Sequence, residues 1–168
     1  MALILYTEAN LLTANAYIDQ TYMTAFLADR IPSTSKTAYE ALTTTQDAYI
    51  IFATQRIDMM RFKGDRANAS QRLLFPRSNI IYDDYVIDDT TIPDGIERAT
   101  AEMVLFLLEN DITEVNTKAN IKSKKTDVLE TVYQDNQVAS SANIYLNAVI
   151  KGLLQPFTYS GSTKVYKG

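Results

Sequence analysis

The side chains able to do chemistry in this chain are carboxylates, lysines and arginines, because its 168 residues include neither histidine nor cysteine. Without histidine the usual general base and the commonest metal ligand are missing; without cysteine there is no thiolate nucleophile, disulfide frame or sulfur-built zinc site. Ser-His-Asp, Cys-His and His-Glu-x-x-His systems are therefore impossible, and the reading is a non-enzyme without a cofactor. Asp83, Asp84, Asp88 and Asp89 offer several oxygens to a hard cation. Their spacing does not match an EF-hand loop and no glycine sits at the turn, so the preferred reading is a solvated or interface loop with no metal. An enzyme acting through these aspartates and a metal is the remote alternative.

Two charge patterns carry more information. Lys118, Lys122, Lys124 and Lys125 form the densest basic patch, either a phosphate-facing finger with Tyr133 as a stacking surface or a solubilising edge strand. Between Arg56 and Arg77 lie six basic residues, Arg56, Arg61, Lys63, Arg66, Arg72 and Arg77, against Asp58 and Asp65. From Asp83 to Glu114 the balance reverses to ten acidic residues against Arg98. Basic and acidic blocks of this kind suit head-to-tail contact between copies, provided they do not pair within one chain. A net charge of -4 argues against a general nucleic-acid binder, whose affinity comes chiefly from neutralising phosphates, but leaves room for a local patch.

The elements that must position these charges are mostly helical. A chain of this length with 46% hydrophobic residues makes one domain with a proper core. No stretch reaches the roughly 18 to 20 apolar residues of a membrane span, and the first residues lack a signal-peptide pattern, so a soluble, cytoplasmically made protein is expected. Ala2 to Tyr6 reads as a short strand or extended arm. Asn10 or Thr13 caps a first helix to Ala28, ended by Arg30-Ile31-Pro32. A second helix opens at Thr37 after a hydroxyl-rich loop, and Thr43-Thr44-Thr45 breaks or kinks it. Ile50, Ala53, Ile57 and Met60, widened by Phe52 and Met59, form the stripe of a core helix over 48–62, capped by Gly64.

Residues 70–77 read as an apolar plug closed by Pro76 and 77–92 as an irregular acidic loop. Pro93 opens a helix to about Glu109 whose nearly all-round apolar end is deep core or subunit contact. A β-hairpin follows at about 120–134, then a last helix over 142–154 stopped by Pro156. The fold class is mainly α: a bundle of four to five helices over residues 1–157 with one inserted hairpin. Residues 158–168, with Tyr159, Val165 and Tyr166, read as an extended tail, disordered alone, that docks on a partner.

Ala53-Thr54, Asp58, Phe62-Lys63-Gly64, Gln71, Leu74-Phe75-Pro76-Arg77 and Ile92-Pro93 together resemble a family of small tailed-phage proteins. These are often labelled DnaT-like single-stranded-DNA-binding proteins and are similar to head-to-tail connector proteins. The connector resemblance implies a structural virion protein in the neck, a homo-oligomeric ring, commonly dodecameric, between the portal and the next neck or tail-completion protein. DNA would pass its lumen without specific binding, with no membrane partner. The basic and acidic blocks would then join neighbours, residues 158–168 would dock on the portal, and Lys122, Lys124 and Lys125 would face the lumen or tail. The other label implies a single-stranded-DNA-binding replication accessory protein, and this is the alternative function.

Overall fold

The computed structural model describes residues 2–110, 123–126, 129–132 and 148–159, the two short segments as backbone only. Its helices are α1 (Gln20–Ala28), α2 (Thr34–Ala41), α3 (Gln46–Asp58), α4 (Asp94–Glu109) and α5 (Ala148–Leu154). Three two-stranded antiparallel pairs accompany them: β1 (Asp65–Arg66) with β2 (Arg77–Ser78), β3 (Ile81–Tyr82) with β4 (Tyr85–Val86), and β5 (Ser123–Thr126) with β6 (Leu129–Val132). The mainly α bundle with an inserted hairpin is thus the observed architecture, with two further small pairs. Among the described residues, no helix is long and apolar enough to cross a membrane.

The chain does not enter α1 at Asn10 or Thr13. Residues 14 to 18 are buried one after another, which an amphipathic helix cannot achieve but an extended segment inside a core can. The Ala2-to-Tyr6 arm supplies their partner: Asn15 N–H and Ala16 N–H both donate to the Ile4 carbonyl, and Tyr6 N–H donates to that of Ala16 at 3.0 Å. The buried Asn15 side chain completes the clasp by accepting from Ile4 N–H and donating to the Ala2 carbonyl. The helix then starts at Gln20, because Asp19 accepts from Tyr22 N–H and serves as its N-cap. Ser33 caps α2 in the same way through Lys36 N–H, so the helix starts at Thr34, three residues before the expected Thr37.

The break near Thr44 is present, with Leu42 extended and α3 resuming at Gln46. Ile50, Ile51, Ala53, Thr54 and Ile57 line the buried face of α3. Met59 lies outside that face and outside the helix, which ends at Asp58, so it is 74% exposed. Gly64 is not a helix cap. It takes the expected positive φ of 67°, but beside β2, where an added Cβ would lie 2.2 Å from the Ser78 carbonyl oxygen. At the other end of the bundle Pro93 is the N-cap of α4 rather than its first residue.

Helix α4 is the axis of the bundle and packs against α3, α5, α2 and α1. Most of its apolar end is core, with Met103, Val104, Leu105 and Leu107 buried, while Phe106 and Leu108 are half-buried. Glu102 is tolerated there because Arg30, at the exit of α1, forms an ion pair with it. Thr100 returns its hydroxyl to the Ile96 carbonyl at 2.8 Å, so its own buried donor is paired.

The plug over 70–77 closes the bundle. Phe75 is wholly buried and meets three rings edge to face: Phe62 at 4.8 Å, Phe157 at 5.6 Å and Tyr17 at 6.4 Å between centroids. Buried Gln71 folds the loop onto itself, accepting from Asn68 N–H and donating to the carbonyls of Leu73 and Pro76. Truncating Phe75 to alanine therefore removes the centre of the cluster and should lower the unfolding free energy by about 3–5 kcal/mol. Gly64→Ala should destabilise by at least about 1 kcal/mol through the backbone alone, and further through the Ser78 contact. Urea denaturation of the two variants measures both.

Candidate nucleic-acid interface

Beyond α3 the chain runs beside the segment that follows α5. Lys63 N–H donates to the Phe157 carbonyl at 2.8 Å, and Phe62 pairs with Thr158 as an isolated antiparallel bridge. Phe157 fixes this pairing by burying its ring against Phe75 and the start of α4, where a Cβ on Gly95 would lie 2.7 Å from the ring. Arg77 ties in the other side: its Nε donates to the Lys63 carbonyl at 2.7 Å and its Nη2 to that of Gly64. Arg66 stands opposite Arg77 in the β1–β2 register.

The result is a cationic strip carrying Arg61, Lys63, Arg66 and Arg77. Tyr159 lies at its end, 58% exposed, with the Arg61 guanidinium over its ring at 5.3 Å. A shallow groove of about 480 Å³ flanks the strip, lined by Met60, Gly152, Thr158 and a further cation, Lys151, among others. Among the described residues the ion pairs are Arg30 with Glu102 and Arg98 with Asp94, so no strip cation is in direct contact with a carboxylate, although the half-buried Asp58 acts on Arg66 and Arg77 from a distance. The strip's members bond main-chain carbonyls instead, Lys63 Nζ reaching Pro156 at 3.1 Å and Arg66 Nη1 reaching Gln71 at 3.5 Å. Such contacts orient a cation without cancelling its charge.

The other two members of the basic block lie elsewhere. Arg56 lies over its own helix neighbour Phe52 at 4.8 Å, with its Nε buried and without a partner. Arg72 anchors the plug to the N-terminal segment, its N–H donating to the Leu11 carbonyl and its Nη1 to that of Thr13. The acidic residues are not one cluster either. Asp83 and Asp84 are the exposed turn of the β3–β4 hairpin, at φ of 50° and 65°, a conformation that aspartate tolerates in a two-residue turn. Asp88 is engaged by Thr90 N–H and by the hydroxyls of Thr90 and Thr91, which hold its carboxyl below the usual range. Asp89 is exposed beside it.

Lys124 and Lys125 fall on β5, their Cα atoms opposite Thr131 and Glu130. Thr126, expected in the turn, is instead the last residue of β5, its Cα opposite that of Leu129. Lys122, Val165 and Tyr166 lie outside the described residues. The pairing of Arg61 with Tyr159 was not visible in the sequence, where the two stand far apart. The one signal was that Phe62 and Phe157, each next to a charged or polar residue, had to bury somewhere.

A family model described as "Putative DnaT-like ssDNA binding protein" matches residues 1–168. The chain belongs to this family. No curated protein and no solved structure matches it. The whole-chain match to the DnaT-like family corrects the connector reading, and with it the assignment as a virion neck protein. The family's description agrees with the alternative stated from the sequence.

Asp58 underpins the strip from within. Its carboxylate accepts from the Tyr17 hydroxyl and from Leu74 N–H, while the same hydroxyl accepts from Phe75 N–H at 3.2 Å. Burial lifts the carboxyl to about 6 against these bonds and against the positive charges of Arg66 and Arg77. A folded-state value above the unfolded one near 3.8 means that the folded protein holds the extra proton between the two, so stability falls as pH rises through that window. Between pH 5 and 7.5 the wild type should lose roughly 1–2 kcal/mol that Asp58→Asn does not lose. Paired urea titrations of the two proteins at both pH values give the difference directly.

Proposed function

We propose that the protein binds single-stranded DNA along the strip of Arg61, Lys63 and Arg66, with Tyr159 as a stacking platform for a base. The observation that carries this reading is the coincidence of cations free of ion pairs among the described residues with an exposed aromatic ring on one stretch of surface. Charge that tracks the backbone and a ring that accepts any base are the two elements of sequence-tolerant single-strand binding. Membership of the DnaT-like family supports it from a separate direction.

The electrostatics set the character of the binding. The chain as a whole carries a net charge of -4, so attraction is confined to the strip and its neighbourhood. Such binding is steeply salt-dependent, because its driving force is the release of counterions from the phosphates the strip contacts. Arg77 contributes charge but is committed to three carbonyls, which makes Arg61 and Arg66 the better probes of DNA contact.

Fluorescence anisotropy with a labelled oligothymidylate tests the proposal. Arg61→Ala and Arg66→Ala should each weaken binding and reduce the slope of log K against log salt by roughly 0.7. Tyr159→Ala should cost about 1–3 kcal/mol of affinity. Absence of binding at low salt, or binding indifferent to all three substitutions, overturns the reading.

A further inference from the structure

The β3–β4 hairpin does not take part in the core. Ile81 is 62% exposed, Tyr82 47%, Tyr85 78% and Val86 75%, so both of its faces are open where a packed hairpin would bury one. Its tip carries Asp83 and Asp84, whose side chains have no hydrogen bond or ion pair among the described residues. A two-stranded hairpin is marginal by itself, and two tyrosines and two β-branched residues around an acidic tip form an adhesive surface rather than a solvated one.

The complementary surface is on the same molecule, and among the described residues no ion pair joins the two. The strip of Arg61, Lys63 and Arg66 lacks carboxylate partners among the described residues, and Tyr159 gives it an apolar edge. We infer that the β3–β4 hairpin of one copy docks on the cationic strip of a second copy. The Asp83 and Asp84 carboxylates meet the guanidiniums of Arg61 and Arg66, while the hairpin tyrosines pack beside Tyr159. Opposite charges fix the orientation, and the apolar residues supply the buried area.

This docking does not require the protein to bind DNA. If the strip also takes single-stranded DNA, as proposed above, the acidic hairpin occupies the place of a phosphate backbone and the two exclude each other. Free strand would then release one copy from another.

Sedimentation at low salt reads the contact with two variants chosen to keep the fold. Asp83→Asn with Asp84→Asn keeps residues that tolerate the left-handed turn, and Arg61→Glu with Arg66→Glu alters exposed side chains. The wild type should self-associate, and each double variant should do so on the order of tenfold more weakly. Mixed together, the two should form a one-to-one dimer of twice the 18.9 kDa chain mass, because one partner keeps an intact hairpin and the other an intact strip. A wild type that stays monomeric, or a mixture that does, overturns the docking. Adding oligothymidylate to the wild-type assembly should dissociate it; an oligonucleotide that binds without dissociating it overturns the shared strip. One that does not bind at all removes the DNA reading and leaves the docking standing.

Discussion

The burial of Phe75 is the constraint from which the functional surface follows. A phenylalanine at zero exposure needs partners on every side, and here they come from three distant parts of the chain: Tyr17 before α1, Phe62 after α3 and Phe157 after α5. Edge-to-face contacts add to the area buried and restrict where each ring can sit. Once the four rings are fixed, the backbone next to them is fixed as well. Residues 61–63 must run beside 157–159, because Phe62 and Phe157 both reach Phe75. The strip is therefore a by-product of core packing, displayed on the outer side of residues whose inner neighbours are the cluster.

The polar groups forced inward by this arrangement are handled locally. Closing the plug over the bundle takes the Leu74 and Phe75 amides out of water, and Asp58 and the Tyr17 hydroxyl accept them. An unpaired buried amide would cost about 1–3 kcal/mol, so the pair is useful even though burial makes the carboxylate itself unfavourable. Asp58 is also the last residue of α3, where a negative charge meets the negative end of the helix dipole. Arg66 and Arg77 offset that locally. The electrostatics of the core and of the strip are thus linked through the same two guanidiniums.

What the sequence disclosed follows from the range of each signal. The Ile50, Ala53 and Ile57 face of α3, though not its expected extension to Met59 and Met60, the break at Thr44, the length of α4 and the apolar plug rest on neighbours within a few residues, and these are present. The start of the first helix was missed because Tyr17, Ile18 and Phe26 imitate a helical stripe, while the true cap, Asp19, is displaced by the buried extended run before it. The β1–β2 pair is only two residues long on each side, too short for alternation to register. The meeting of Arg61 with Tyr159 depends on a contact across most of the chain and has no local signature. The connector reading failed for a related reason. Thr54, Gln71 and Phe75, on which the resemblance partly rested, are buried, and Gly64 is a close backbone approach. Motifs made of such positions report a shared core and say nothing of what the surface touches.

The distinction between the cations of the strip is where fold and function separate. Arg77 spends its donors on the carbonyls of Lys63, Gly64 and Leu74, and a fork so engaged holds two chain segments together whatever it faces outside. Among the described residues Arg61 has a tyrosine ring as its one side-chain partner, an interaction of about 0.5–1 kcal/mol at an exposed site, which a phosphate or a carboxylate can exceed. Its donors remain available while the ring limits the positions it samples. A cation held this weakly is pre-oriented without being committed, so less side-chain entropy is lost when an anion arrives. The same logic applies to Tyr159: its ring is kept near the strip by the Phe62–Thr158 bridge beside it, not by burial. A surface built from rigidly placed backbone and loosely held side chains can accept anions of different shape, a flexible strand or a folded hairpin tip, at one place.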